Sequence, residues 1–264
     1  MVKNMKKAFL CITLLTNVLF ATTAYSGDVV DRISDIDQQI AQLQSEKENL
    51  LQNSTESDTL NYSSQIDFYD IFPGGMGQLF GAIVEVNNTG DDYLYLGKDS
   101  IFDIEDKDGH LIATEQYLDN VPDIIGPGET GYIYTSLSNI DVGATTSNTK
   151  LVPTLDIEAT DKVPIDYQIS DVSLTKDSYG YSSLIGRVTN VTDEDDASVD
   201  VIAVFFDDDN EAISVADTYV MDFKAGETRS FDIQCALGST NIDISNGEFS
   251  NYKVFARKLF YHYR

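Results

Sequence analysis

Tryptophan is absent from this 264-residue sequence, histidine and cysteine occur twice each, proline five times, and only 17 Lys+Arg stand against 44 Asp+Glu. Each scarcity excludes something. His110 and His262 lie far apart, so no His-x-x-x-His pair or Cys-His pairing is present to hold a transition metal. Nucleophilic catalysis needs a base beside a Ser, Thr or Cys, and neither histidine has a recognisable partner. The formal charge of −27 removes the lysine and arginine contacts from which nucleic-acid binding draws most of its affinity, so no nucleic acid is expected as a partner. The glycine-rich run Pro73-Gly74-Gly75-Met76-Gly77 lacks the Lys-Ser/Thr pair of a phosphate loop and is not followed by a helical pattern. No cofactor is expected.

The mostly apolar run Ala8 to Phe20 is too short to span a bilayer comfortably. Lys3, Lys6 and Lys7 precede it and Ala24-Tyr25-Ser26 follows, the pattern of an export signal over residues 1–26. Cleavage after Ser26 leaves 14 basic against 44 acidic residues, a net charge of −30, and no stable membrane insertion. It also leaves Cys235 as the sole cysteine, which excludes an internal disulfide and reads as a core thiol. The expected location is therefore secreted or cell-surface associated, in a bacterium.

From Val29 the apolar positions follow a heptad, with Val29, Ile36, Leu43 and Leu50 at d and Ile33 and Ile40 at a; Lys47 breaks the seam. β-branched residues at a with Leu at the later d sites favour a parallel dimer. Residues 27–52 are thus expected as a coiled-coil-like helix, self-associating through Ile33, Ile36, Ile40, Leu43 and Leu50 or else folded onto its own domain. Residues 53–65, rich in Ser, Thr, Asn and acids, read as a flexible linker.

Beyond the linker, short apolar runs bounded by Gly, Asn, Asp and Pro are the signature of an all-β sandwich. The signals also repeat. Asn88 and Asn190 are offset by 102 residues, Asp106 and Asp207 by 101, and Gly128 and Gly226 by 98, a drift that loop insertions and deletions produce. Two β-sandwich units are expected, over 66–160 and 161–264. The second carries Gly186-Arg187-Val188-Thr189-Asn190, then Phe205-Phe206-Asp207, Ala225-Gly226-Glu227 and Tyr252-Lys253-Val254. In that order these pieces resemble the FxLYD-type domains of exported bacterial proteins, with Phe206 where that family has Tyr. The resemblance covers roughly Asp166 to His262; it implies an immunoglobulin-like sandwich and carries no catalytic residues with it.

Calcium is the better-posed metal question. Against the EF-hand template Asp106, Asp108, Gly109 and Glu115 fall at positions 3, 5, 6 and 12, but Ile104 occupies position 1, and the second unit places Asp207 and Asp209 at the matching turn. Asp106, Asp108, Asp207 and Asp209 are weak Ca²⁺ candidates whose simpler cause is a hairpin turn tolerant of positive φ. Tyr93, Tyr95, Tyr179 and Tyr181 are the candidate sugar platforms. The terminal stretch with Lys253, Arg257, Lys258 and Arg264 is expected as a last or edge strand docking its basic face on acids, within the chain or in a partner. Together these features describe a non-enzymatic binding or scaffold protein with tandem immunoglobulin-like units. The alternative is a small-ligand module for carbohydrate or Ca²⁺, and behind it a hydrolase of unrecognised type.

Overall fold

Short alternating runs of β-branched and aromatic residues become antiparallel strands here, because such side chains suit a pleated surface with one buried face. The computed structural model describes residues 60–74, 77–135, 138–140, 143–164 and 167–258. The expected export signal and heptad stripe lie outside the described residues. The chain is all-β. The first nine strands are β1 (Tyr62–Gly74), β2 (Gly77–Asn88), β3 (Tyr93–Leu96), β4 (Ile101–Asp106), β5 (Leu111–Glu115), β6 (Leu118–Val121), β7 (Ile124–Ile125), β8 (Thr130–Thr135) and β9 (Ser138–Ile140). The rest are β10 (Thr149–Thr154), β11 (Ile157–Thr160), β12 (Gln168–Lys176), β13 (Ser182–Thr189), β14 (Asp196–Phe206), β15 (Ala212–Phe223), β16 (Thr228–Gln234) and β17 (Asn251–Lys258). Among the described residues the only helical pieces are two three-residue 3-10 turns, and no helix is long and apolar enough to cross a membrane.

β1 starts inside the stretch whose composition suggested a tether. Tyr62 to Gln65 pair with Asn88 to Glu85, so polar Ser63, Ser64 and Gln65 belong to a strand. β1 is an edge of its sheet, and the exposure of these residues is what makes their polarity tolerable there.

One sheet runs β1-β2-β8-β6 with β9 added to β2; four three-stranded sheets run β10-β4-β5, β11-β3-β7, β12-β13-β16 and β15-β14-β17. Leu60–Arg264 forms one compact unit with three apolar clusters. The first gathers Phe80, Val84, Leu94, Phe102, Ile104 and Ile133 from β2, β3, β4 and β8. The second gathers Leu184, Val201, Phe205, Phe223 and Ile233 from β13 to β16. The third joins the two halves: Ile83, Tyr132 and Tyr134 from β2 and β8 meet Ile202, Val204 and Phe206 from β14. Period-two alternation divides β2, β8 and β14 between clusters. On β14, Val199, Val201, Ala203 and Phe205 enter the second cluster while Ile202, Val204 and Phe206 enter the third, so the strand is buried on both faces.

The repeat extends to individual hydrogen bonds. Asn88 Nδ2 donates to the carbonyls of Asp92 at 2.7 Å and Ile125 at 3.1 Å; Asn190 Nδ2 donates to those of Glu194 at 2.9 Å and Phe223 at 3.4 Å. Asn88 Oδ1 accepts the Gly90 amide, and Asn190 Oδ1 the Thr192 amide, both at 3.0 Å. Each asparagine also exchanges backbone bonds with the later turn, Asn88 with Gly128 and Glu129 and Asn190 with Gly226 and Glu227. In those turns Glu129 Oε2 accepts the Gly126 amide and Glu227 Oε2 the Lys224 amide. A buried asparagine that satisfies itself while stitching two loops explains why the signals recur in the same order.

Candidate binding groove

An open groove of about 920 Å³ runs between the two halves. Tyr95, Lys98, Asp123 and Glu129 line it from the first half. Lys162, Val163 and Pro164 close it at the crossover, and Tyr167 and Ile169 from the second half. Six successive residues of β17, Lys253 to Lys258, complete the lining. β17 pairs with β14 along one side and with no strand along the other among the described residues, and six of its residues line this space.

The groove reverses the chain's charge balance. Five Lys/Arg and two Asp/Glu line it, in a sequence where acids outnumber bases 44 to 17. Two of the cations are committed internally. The Arg257 side chain is 13% exposed, and its Nη1 donates to Asp123 Oδ1 at 2.8 Å, to Asn120 Oδ1 at 3.0 Å and to the Asn120 carbonyl. Its Nε lies 3.4 Å from Asp200 Oδ2 and its Nη2 3.7 Å from Asp119 Oδ1. Burial opposes this charge, but the facing carboxylates, Asp123 foremost, outweigh it and hold the guanidinium protonated above its ordinary range. Lys258 Nζ sits 2.6 Å from Oδ1 of the buried Asp196, an ion pair outside hydrogen-bond geometry, while Tyr167 Oη donates to Asp196 Oδ2 at 2.7 Å. The basic face of the last strand thus docks on acids, and these contacts lie within the chain.

The other three cations are Lys98, Lys162 and Lys253. None has a carboxylate within ion-pair distance among the described residues. Lys253 Nζ donates to Tyr132 Oη at 3.3 Å and lies 5.2 Å from the Phe206 ring centroid, a cation–π distance. Lys98 and Lys162 are exposed. Lys253, Arg257 and Lys258 stand out in the sequence as a cluster on the last strand, whereas Lys98 and Lys162 stand alone in loops, their one signal being rarity in so acidic a chain.

The Ca²⁺ candidates fall outside the groove, at hairpin turns. Asp106 Oδ1 accepts the amides of Asp108 and His110, both at 2.8 Å, and Asp207 Oδ1 those of Asp209 and Glu211, both at 3.0 Å. Asp177 does the same at the β12–β13 turn with Tyr179 and Tyr181, at 2.8 and 3.0 Å. The residue three places after each aspartate, Gly109, Asn210 or Gly180, has positive φ. Asp106, Asp108 and His110 bring ligand atoms within 4.8 Å of one another, but Asp106 Oδ2 faces His110 Nδ1 at 3.0 Å. The amide and ring of His110 hold the Asp106 carboxyl below its usual range. Asp106 and Asp207 thus act as turn caps, and their recurrence with Asp177 is explained without an ion.

Tyr179 and Tyr181 are 86% and 55% exposed at that third turn, whereas Tyr93 and Tyr95 are half-buried on β3. Burial first, then Asp123, raises the Tyr95 hydroxyl pKa. Cys235 is buried, and burial pushes its thiol pKa up, away from the nucleophilic thiolate. No protein-family model matches this sequence, and no curated protein matches it either.

Proposed function

We propose that this chain is an exported, non-enzymatic binding or scaffold protein whose two halves are immunoglobulin-like sandwiches, the second of FxLYD type. The single observation that carries the binding role is the groove: a water-accessible surface lined by five Lys/Arg and two Asp/Glu, three of its lysines without an ion-pair partner among the described residues, on a strongly acidic molecule. Selective surfaces of this kind recognise partners by charge complementarity. The repeated asparagine and glutamate stitches support the two-unit description, and the leader of residues 1–26 supports export. The heptad stripe over 27–52 supplies self-association.

The binding role is tested with the chain from Gly27 onward as bait on the secretome of the source cells, beside a Lys98→Glu/Lys162→Glu variant. Both substitutions are at exposed loop positions and leave the cores untouched. Partners enriched about tenfold on the parent bait over the variant are expected from loss of two desolvated charge contacts; equal recovery on both defeats the groove as the binding surface. Self-association is read by sedimentation of the same chain with and without residues 27–55. Mass should fall to that of a monomer on truncation, and a monomer in both samples removes the oligomer.

A further inference from the structure

We infer that the groove takes an extended acidic polypeptide segment, which adds as a further strand to the free edge of β17. The inference rests on the binding-protein reading above and names the chemistry of its partner.

β17 is the edge of the sheet β15-β14-β17, and six of its eight residues in succession, Lys253 to Lys258, line the groove. In an antiparallel pair every second residue turns its N–H and C=O away from the partner strand. Along this side of β17 those groups find no backbone partner among the described residues. A compact ligand answers such a row poorly, whereas a neighbouring strand answers it fully, at a spacing of about 4.8 Å. Six residues of strand extend about 20 Å, a length that suits an extended chain.

Charge selects among strands. With Arg257 held among Asp119, Asp123 and Asp200, Lys258 beside Asp196, and Glu129 the one other lining acid, the lining cations without an ion-pair partner among the described residues are Lys98, Lys162 and Lys253. These stand around the edge, interleaved with the apolar surface of Val163, Ile169, Val254 and Ala256. An occupant that alternates Asp/Glu with β-branched residues presents carboxylates to the lysines on one face and apolar groups on the other. Lysines at a sheet edge also discourage indiscriminate pairing, which would otherwise make this edge a liability. A nucleic-acid strand satisfies the lysines but offers no amide donors in strand register to the edge carbonyls.

The test uses the chain from Gly27 onward and fluorescein-labelled peptides read by anisotropy. The probes are Asp-Val-Glu-Val-Asp-Val-Glu-Val, its Lys-for-acid counterpart, and two versions N-methylated at alternate residues so that each blocks one strand edge. Saturable binding of the acidic peptide is expected, with loss of about tenfold or more in affinity for one methylated version and little for the other, since strand addition uses one peptide edge. The Lys counterpart should not bind, and Lys98→Glu/Lys162→Glu should weaken the acidic peptide about tenfold. Equal binding of both methylated versions and the parent peptide overturns strand addition, as does equal competition by a single-stranded oligodeoxynucleotide. Failure of every peptide overturns the inference as well. If the parent bait then still enriches partners that the Lys98→Glu/Lys162→Glu bait loses, the binding reading stands; if it enriches none, both fall.

Discussion

Arg257→Leu should melt about 10 °C below the parent chain at neutral pH. Arg257 is the only cation within ion-pair distance of Asp119, Asp123 and Asp200 among the described residues, and it bridges both halves of the fold. Its side chain and that of Asp200 are 13% and 11% exposed, so water recovers little of what the substitution removes. Breaking a buried pair by deleting one partner costs about 3–5 kcal/mol, because the opposite charge is left uncompensated. In a unit of this size each kcal/mol moves the midpoint by about 2–4 °C. The deficit should depend on pH in a defined direction. Burial already raises the Asp200 pKa against the opposing pull of Arg257, and without Arg257 it rises further. A carboxyl whose folded pKa exceeds its unfolded value binds more protons when folded, so stability falls as pH rises through that window and recovers on acidification. Calorimetric melts at pH 7 and pH 5 should therefore show a smaller gap between variant and parent at pH 5, and Arg257→Leu/Asp200→Asn should regain part of the loss at pH 7. A neutral-pH shift below about 2 °C would mean that the buried charges are compensated by something else.

This cluster was half legible in the sequence. Lys253, Arg257 and Lys258 were conspicuous on a last strand in a chain with few cations, and their docking on acids was expected. Which acids was not. Among 44 carboxylates nothing local distinguishes Asp123, Asp196 and Asp200, and their roles come from a register between strands far apart in sequence. Asp200 faces Arg257 across the β14–β17 ladder, while Asp119 and Asp123 arrive from the other half of the fold. Turn chemistry was the opposite case. Asp106-x-Asp108-Gly109 and Asp207-Asp208-Asp209-Asn210 determine their geometry locally, through one carboxylate oxygen and one residue tolerant of positive φ.

The all-β class followed from alternation and turn spacing, but the contact between the halves did not. β14 carried the signal: Val201 to Phe206 is an unbroken apolar run, and a strand that is apolar at successive positions is buried on both faces. β2 and β8 read as ordinary alternation because their outward positions, Ile83, Tyr132 and Tyr134, look like the scattered apolar residues any surface carries. The groove is a consequence of that contact. Two halves locked through their flanks leave a cleft beside the contact, lined by loops and by a strand edge, and no short stretch of sequence encodes it.

Phe206→Ala should be the most damaging substitution in that contact and should do more than lower stability. The Phe206 side chain has no exposed surface, and its ring meets Tyr132 edge-to-face with centroids 5.8 Å apart. Truncating a buried phenylalanine costs about 3–5 kcal/mol in lost transfer energy and cavity formation. The adjacent Phe205, equally buried, points to the opposite side of β14, into the second cluster against Phe249 at 4.8 Å. The two truncations remove the same atoms from neighbouring positions yet report different things. Phe205→Ala weakens the interior of the second half, so the loss falls on that half and the contact with the first is retained. Phe206→Ala weakens what couples the halves, since the third cluster is their shared apolar contact. Phe206→Ala should accordingly turn a single calorimetric transition into two resolved or broadened ones. Cooperativity between packed units depends on the energy of the contact between them. Phe205→Ala should lower the midpoint without making the first half melt separately at its own temperature. If both variants melt in one sharp transition with equal loss, the halves are coupled through polar contacts such as the Arg257 bridge, and the apolar cluster between them is secondary.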